Sequence, residues 1–452
     1  MNDPSRRAFL RTGSLVTAGS FVAGSLRTHV LAEEVGDPVP TRGVNDQINL
    51  ALIGAGGQGM SDTATALRVP GVRLVAVADC YDGRRARAQE LWGKDVFTSR
   101  DFREVLARPD VDAVLIATPD HWHQPAAVAA MEAGKDVYLE KPMIHTYEDG
   151  PLIIETARRT HRILQVGSQR VSSIIYRKAQ ELLAAGAIGK LNMVNAWWDR
   201  NSAIGAWEYS IPPDAAPTTI DWERFLGSAP HIPFNAKHFF RWRCWQAYGT
   251  GVAGDLFVHL FSGTHFITKS HGPTRGMATG GLRFWKDGRD VPDVMLGLFD
   301  YPQEFNLSLR VNFVNGGAES EALVFVGSEG TMEVNGGGVT VTRVPRPKAP
   351  GYTVGTFTEA MQQKFLAAYH AKYPAETFGA TPTTTQERFA VSSGYSDSFD
   401  HFTNFFHAVR SRQPVVEDPV FGYRAAGAAL LSNRSYFSGT VVNWDPEAMK
   451  LV

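Results

Sequence analysis

The segment Gly54-Ala55-Gly56-Gly57-Gln58-Gly59 constrains this chain more than any other stretch of it. It follows an apolar β-type run from Ile48 to Ile53 and opens a helix-compatible stretch through Leu67. A second apolar run, Val72 to Ala78, ends at Asp79. In a strand–turn–helix of this kind Gly54 permits the tight turn, Gly56 lets backbone approach a pyrophosphate, and Gly59 allows helix and strand to pack closely. Gly57 and Gln58 complete a loop whose free N–H groups, with the helix dipole, attract phosphate. Asp79 stands twenty residues after Gly59, where a carboxylate accepts hydrogen bonds from ribose hydroxyls. A carboxylate repels a 2′-phosphate, so NAD is favoured over NADP, with Arg84 and Arg85 close enough to offset part of that repulsion.

The alternation of strand and helix continues. Phe102 to Ala107 reads as helix, Val111 to Ala117 as a buried strand ending in Thr118-Pro119, and Ala126 to Ala133 as helix. Asp136 to Leu139 is a strand ending in Glu140-Lys141-Pro142; Pro151 to Arg159 is helix and Ile163 to Val166 strand. This pattern predicts an α/β fold, with an N-terminal Rossmann domain over residues 47–168. Ligands of such sheets bind beyond the carboxyl ends of the strands. The loops 118–125 and 140–143 therefore face the cofactor crevice.

With 452 residues the chain has room for a second domain. Its 45 basic and 46 acidic residues nearly balance, and no run of like charge offers a surface for nucleic acid. Cys80 and Cys244 have neither disulfide-framework nor metal-ligand spacing. His121-Trp122-His123 lacks a third ligand at fixed spacing, so we read it as a wall of the cofactor crevice, with His123 turned inward and no metal. At the N-terminus, Ser5-Arg6-Arg7-Ala8-Phe9-Leu10 precedes a glycine-interrupted apolar run from Leu15 to Leu26, with Val30-Leu31-Ala32 after it. The run is too short to span a bilayer. It resembles a twin-arginine export signal over residues 1–32, followed by a linker at 33–46. The expected location is the periplasm or another exported compartment, reached through the export machinery. No free NAD is expected there, so the cofactor would have to travel with the folded protein.

Several of these marks, taken in order, resemble the family of glucose–fructose oxidoreductase and inositol dehydrogenase (Gfo/Idh/MocA). They are the glycine loop, Thr118-Pro119 with His123, Glu140-Lys141-Pro142, Gly167 with Gln169-Arg170, and Gly254-Asp255 with His259. The resemblance implies that Lys141 reaches both nicotinamide and the reacting hydroxyl, and that His259 is the acid–base with Asp255 beside it. Chemistry agrees: removing hydride from a secondary alcohol requires its proton to leave, and histidine is the usual acceptor. A lysine cation stabilises developing alkoxide charge. Asp255 and His259, four apart, share one face of a helix. The cofactor-binding set is then Gly54, Gly56, Gly57, Gln58, Gly59, Asp79, Thr118, Pro119, His123, Glu140 and Lys141.

Beyond residue 169 the pattern changes to alternating strands: Leu191 to Trp198, Val294 to Asp300, Leu307 to Phe313, Ala322 to Val326 and Gly338 to Thr342. These predict a substrate-binding α+β domain at 169–440, with an open, mainly antiparallel sheet, and a tail at 441–452. Phe399 to Arg410 and Gly422 to Phe437 read as amphipathic helices. In the resembled family such a sheet often mediates homo-oligomers. Aromatic and basic residues crowd before Asp255, and from them and the domain junction we select Arg170, Tyr176, Arg241, Trp242 and Tyr248 as substrate contacts. Aromatic faces stack on sugar C–H surfaces, and arginine forks grip hydroxyls or carboxylates. A carbohydrate substrate follows. Two enzymatic readings result: net hydride transfer at a ring hydroxyl, or redox-neutral glycoside hydrolysis by transient oxidation and elimination. The second needs a further acid–base, for which Tyr176, Tyr248 and His238 are candidates. A non-catalytic sugar-binding protein is the third alternative.

Overall fold

The computed structural model describes residues 26–31, 47–344, 350–373 and 384–452. The arginine pair Arg6-Arg7, residues 15–25 of the apolar run and the linker at 33–46 lie outside the described residues. Among the described residues, six parallel strands form the N-terminal sheet, in the spatial order Phe97–Ser99, Val72–Ala78, Ile48–Ile53, Ala113–Ile116, Asp136–Leu139 and Leu164–Val166. The central strands are buried on both faces, which is why they read as unbroken apolar runs. The strand order reverses at Ile48–Ile53, and the Gly57–Ala66 helix starts from that switch point. The helix Asp82–Trp92 and the short strand Phe97–Ser99 were not legible in the sequence, because that helix is polar on most of its surface and buries only Ala88.

Eleven of the described strands form the second sheet. Its centre pairs Leu191–Asp199 antiparallel with Ser320–Gly327 and parallel with Asn306–Asn312. Outward from there run Val294–Asp300 and Arg275–Gly281 on one side, Gly330–Asn335, Gly338–Arg343 and Thr385–Val391 on the other. The helices Ile174–Ala184, Val258–Thr268 and Pro419–Ser438 pack against this domain. Along Val294–Asp300 alternate residues are buried, leaving Leu296 and Leu298 exposed on the other face beside Met277, the cross-strand partner of Leu298.

Three segments depart from the expected boundaries. Leu26–Leu31, expected within the export segment, is an edge strand parallel to Thr385–Val391, with His29 stacked on Phe389 at 4.9 Å. The expected tail supplies strands Val442–Asp445 and Lys450–Leu451, and Trp444 is buried. The helix Asp397–Ser411 belongs to the packing of the first domain: Phe402, Phe405 and Phe406 enter its core, with Phe402 stacked on Tyr138 at 4.4 Å. Arg412 at its end forks onto Asp136 at 2.6 and 2.9 Å. These contacts tie the C-terminal part of the chain to the N-terminal sheet.

Candidate active site

Two cavities meet at the carboxyl ends of the parallel strands. The first is lined by Gly54, Gly56, Gly57, Gln58, Asp79, Thr118 and Pro119 from the first domain. Gly54 has φ +93°, and a Cβ there would sit 2.6 Å from the carbonyl oxygen of Ala117. Gly59 does not line the cavity: a Cβ on it would collide with the Gly54 oxygen, so its role is the packing assigned to it. The Asp79 carboxylate accepts the N–H of Ala55 at 2.8 Å and of Tyr81 at 2.9 Å, with Arg84 at 3.5 Å. Each oxygen thus keeps acceptor capacity for a ribose hydroxyl. A glycine cradle that side chains would fill, leading to a carboxylate at the second strand, fits a dinucleotide.

The opposite wall of this cavity comes from the second domain. Trp242, selected as a substrate contact, lines this cavity with Phe225, Phe239 and Phe240, and so belongs to the cofactor side. The segment is stitched down onto the first domain: Tyr81 pairs with Ile220 as a β-bridge, Arg100 donates to the Thr218 oxygen, and Trp122 Nε1 donates to the Phe225 oxygen at 2.9 Å. His123 lines neither cavity. It is buried, and its nitrogens lie against the oxygens of Pro142 at 2.7 Å and Thr118 at 3.0 Å. It joins the two crevice loops from behind rather than forming a wall. His121 is likewise occupied by the carbonyls of Phe225 and Tyr248. No cluster of three or more His, Cys, Asp or Glu able to hold a metal occurs among the described residues.

The second cavity, about 530 Å³, brings Glu140, Lys141, Asp255 and His259 together with Gln169, Trp198, Arg200, Tyr209 and Arg243. Gln58, Tyr209 and Arg243 line both cavities, so the two are adjacent. Lys141 Nζ donates to the Asp255 backbone oxygen at 2.8 Å and its Oδ1 at 2.9 Å. Arg243 Nε reaches Oδ1 at 3.2 Å, Trp207 Nε1 reaches Oδ2 at 3.3 Å, and Arg200 lies 3.9 Å from Oδ2. Burial opposes charge on Asp255, but Lys141, Arg243 and Arg200 outweigh it and hold the carboxyl far below the usual range.

Asp255 lies in a π-helical turn, Ala253–Phe257, that runs into the α-helix Val258–Thr268. Such a turn inserts one extra residue into the helical ladder. Gly254 is required there, since a Cβ would overlap Thr250 Oγ1. His259 presents its ring to the cavity beside Trp198, centroids 5.3 Å apart, while its Nδ1 is buried without a hydrogen-bond partner among the described residues. Burial first, then Lys141 and Arg170, push its pKa well below the ordinary value. The imidazole is neutral and ready to accept a proton. Beneath it, burial raises the carboxyls of both Glu140 and Asp62. Gln169 donates to Glu140 at 2.8 Å and Gln58 to Asp62 at 2.9 Å. Both carboxyls are buried.

The substrate set chosen from the sequence is mostly not at this cavity. Arg170 pairs with Glu321 and covers Trp198 at 4.6 Å. Tyr176 is buried against Gly263, Arg241 is held by Glu208 and the Tyr209 oxygen, and Tyr248 is buried beneath His238. His238 stacks on Trp245 at 3.8 Å and, like Tyr176 and Tyr248, lines neither cavity. The residues missed were Arg200 and Tyr209. Neither sits in a motif; each is delivered by an irregular stretch after the strand Leu191–Asp199.

The description "Oxidoreductase family, NAD-binding Rossmann fold" matches residues 48–168, and "GFO/IDH/MocA C-terminal domain" matches residues 176–333. The chain belongs to the GFO/IDH/MocA oxidoreductase family. Its first domain is the NAD-binding domain of that family, in agreement with the cofactor read from the glycine loop and Asp79. An α-N-acetylgalactosaminidase of Shewanella oneidensis is 34% identical over 179 residues, 36% of this chain. A glycosyl hydrolase family 109 protein of Shewanella baltica is 32% identical over the same length. The chain spans 39% of the length of each. Among solved structures, levoglucosan dehydrogenase in complex with NADH and levoglucosan is 19% identical, with a TM-score of 0.62 over 88% of this chain and 99% of that one. An NAD binding oxidoreductase of Klebsiella pneumoniae is 20% identical, with a TM-score of 0.63 over 88% and 99%. At these identities the likeness is one of fold, an α/β domain joined to a mainly antiparallel sheet.

Proposed function

We propose that this protein transfers hydride between a retained NAD and a ring hydroxyl of a sugar, polyol or glycoside. The observation that carries the reading is the placement of Lys141, Asp255 and His259 on one cavity that shares Gln58, Tyr209 and Arg243 with the glycine-loop cavity. Bound across both, NAD supplies the hydride acceptor. Lys141, fixed by two bonds to Asp255, offers its remaining N–H to the substrate oxygen and favours its alkoxide character. His259, a neutral imidazole that faces the cavity, takes the hydroxyl proton on its accessible ring nitrogen. Asp255 balances the lysine and arginine charge so that the cations stay seated in the cavity.

The redox-neutral glycosidase is the second reading, supported by the named galactosaminidase relative. Its extra acid–base would be Tyr209, the phenol that lines the cavity, in place of Tyr176, Tyr248 or His238. Incubation of purified protein with aryl glycosides and no added cofactor separates the two. Ketosugar with a reduced nicotinamide and intact glycoside supports net hydride transfer; aglycone release without net reduction supports hydrolysis. Neither product would leave only the sugar-binding alternative.

The paired arginines near the N-terminus support export by the twin-arginine route, which places the protein in the periplasm with its cofactor already aboard. The second-domain wall over the adenosine end of the cavity is consistent with retention of that cofactor. No described helix is long and apolar enough to cross a membrane. The exposed Met277, Leu296 and Leu298 on the open face of the large sheet support a homo-oligomer built on that face.

A further inference from the structure

The charge of the reaction cavity is unequal to the needs of the chemistry alone. Hydride transfer from an alcohol requires one cation near the oxygen and one base, which Lys141 and His259 provide. The cavity holds two more cations, Arg200 and Arg243, and each side chain is 22% exposed toward it. Asp255 is the carboxylate that these three cations share, and Glu140 is the one other carboxyl lining the cavity, so three cations face at most two carboxylates. The cavity is therefore cationic when no substrate is present.

Both guanidinium groups are held in place with donors to spare. Arg243 lies over the Trp242 ring at 4.2 Å and uses only Nε on Asp255. Arg200 lies over Phe313 at 5.5 Å and gives one bond, at 2.9 Å, to the Gly205 oxygen. Aromatic platforms fix the planes of the forks and lower the entropy lost on binding a planar anion. Fixed, partly solvated forks beside a neutral base are poorly matched to a substrate carrying hydroxyls alone, because hydroxyls leave the excess positive charge uncompensated. Arg243 also lines the cofactor cavity and is within reach of the dinucleotide; Arg200 lines only the reaction cavity.

We propose that the saccharide acted on here carries a carboxylate, as a uronic acid or its glycoside, and that Arg200, assisted by Arg243, grips that group while Lys141 and His259 address a ring hydroxyl. This rests on the hydride-transfer reading for the chemistry and on the cationic walls for the substrate class.

The test uses purified protein with its bound nucleotide and matched substrate sets: galactose, galacturonate and galacturonate methyl ester, with the corresponding glucose series. Reduction of nicotinamide and binding by calorimetry are both followed. The acid should exceed both the neutral sugar and the ester by at least about 10-fold in kcat/KM, the scale of one charge-assisted contact. Arg200→Gln should bring that ratio toward unity, and Arg200→Lys should restore part of it. Nucleotide content and thermal unfolding of each variant report folding, and the ester comparison in the wild-type protein does not depend on any variant. Equal or better turnover and binding of the neutral sugar or the ester overturns the assignment. If no saccharide reduces the nicotinamide but uronate still binds better than its ester in an Arg200-dependent way, the carboxylate site stands and the hydride-transfer reading falls.

Discussion

The two cavities are built in different ways. The dinucleotide cavity has a cradle of backbone, with glycines that admit phosphate and a helix start, faced by Phe225, Phe239, Phe240 and Trp242, with Asp79 and the arginines Arg84, Arg100, Arg103, Arg224 and Arg243 also on its lining. The reaction cavity is made of charged side chains brought from Lys141, Arg200, Arg243 and the Asp255–His259 turn, which lie far apart in the chain. Backbone sites depend on local conformation and tolerate change in their apolar walls. Charged sites depend on which side chains remain, since removing the sole partner of a charge leaves it buried and unpaired. The first should fail by losing its ligand, and the second by losing turnover with its ligand still held.

Lys141→Ala gives the largest expected effect. Asp255 keeps Arg243, Arg200 and Trp207, so no carboxylate is orphaned and the fold holds. Single-turnover reduction of nicotinamide should fall by about 10³-fold, the range for loss of a charge-stabilising group, with nucleotide content by mass spectrometry unchanged. Equal loss of nucleotide and turnover would erase the distinction between the cavities. Gly54→Ala should do the reverse. A methyl placed against the Ala117 oxygen at positive φ costs about 3 kcal/mol, so nucleotide retention after gel filtration should weaken by roughly 10²-fold. Phe240→Leu keeps an apolar wall and should change retention by less than about 3-fold, which a dilution series of bound nucleotide would resolve.

Proton linkage sharpens the contrast in another observable. His121, His265 and His401 are buried neutral, with pKa values lowered by desolvation to about 4, about 3 and about 4. A depressed histidine contributes stability that is present above its unfolded value near ~6.5 and is lost as pH falls toward the folded value, at up to about 1.4 kcal/mol per pH unit each. Unfolding midpoints should therefore drop steadily between pH ~6.5 and ~4. Turnover follows His259 instead, and because its pKa is lowered as well, kcat/KM should stay level at pH ~6 where a free histidine would already be more than half protonated. A loss of rate centred near pH ~6.5 would contradict the neutral, buried base.

This contrast also explains what the sequence made legible. The glycine loop, Asp79 and the strands flanking them are local signals, and each appears where its pattern places it. Lys141, Asp255 and His259 were legible through the order of motifs rather than through any one of them. Arg200 and Tyr209 were not: Arg200 meets Asp255 from a distant part of the chain, and Tyr209 lies in a stretch of turns without periodicity. The aromatic–basic crowd before Asp255 pointed to the right neighbourhood but to the wrong members. Arg241 and Tyr248 are spent on structure, while Arg243 faces the cavity. The strand at Val442–Asp445 escaped notice because four residues carry too little alternation to register.

In the proposed reaction a nicotinamide comes to rest between Lys141 and His259 and receives hydride from a saccharide carbon. Ring-deuterated saccharides, mixed with the purified holoprotein and quenched in cold near-neutral organic solvent, test this through the mass of the nucleotide released on denaturation. The wild-type protein should release a reduced nicotinamide heavier by one deuterium, and Lys141→Ala an unlabelled, oxidised nucleotide. Release of no dinucleotide at all, or product formation with the nucleotide never labelled, would contradict it.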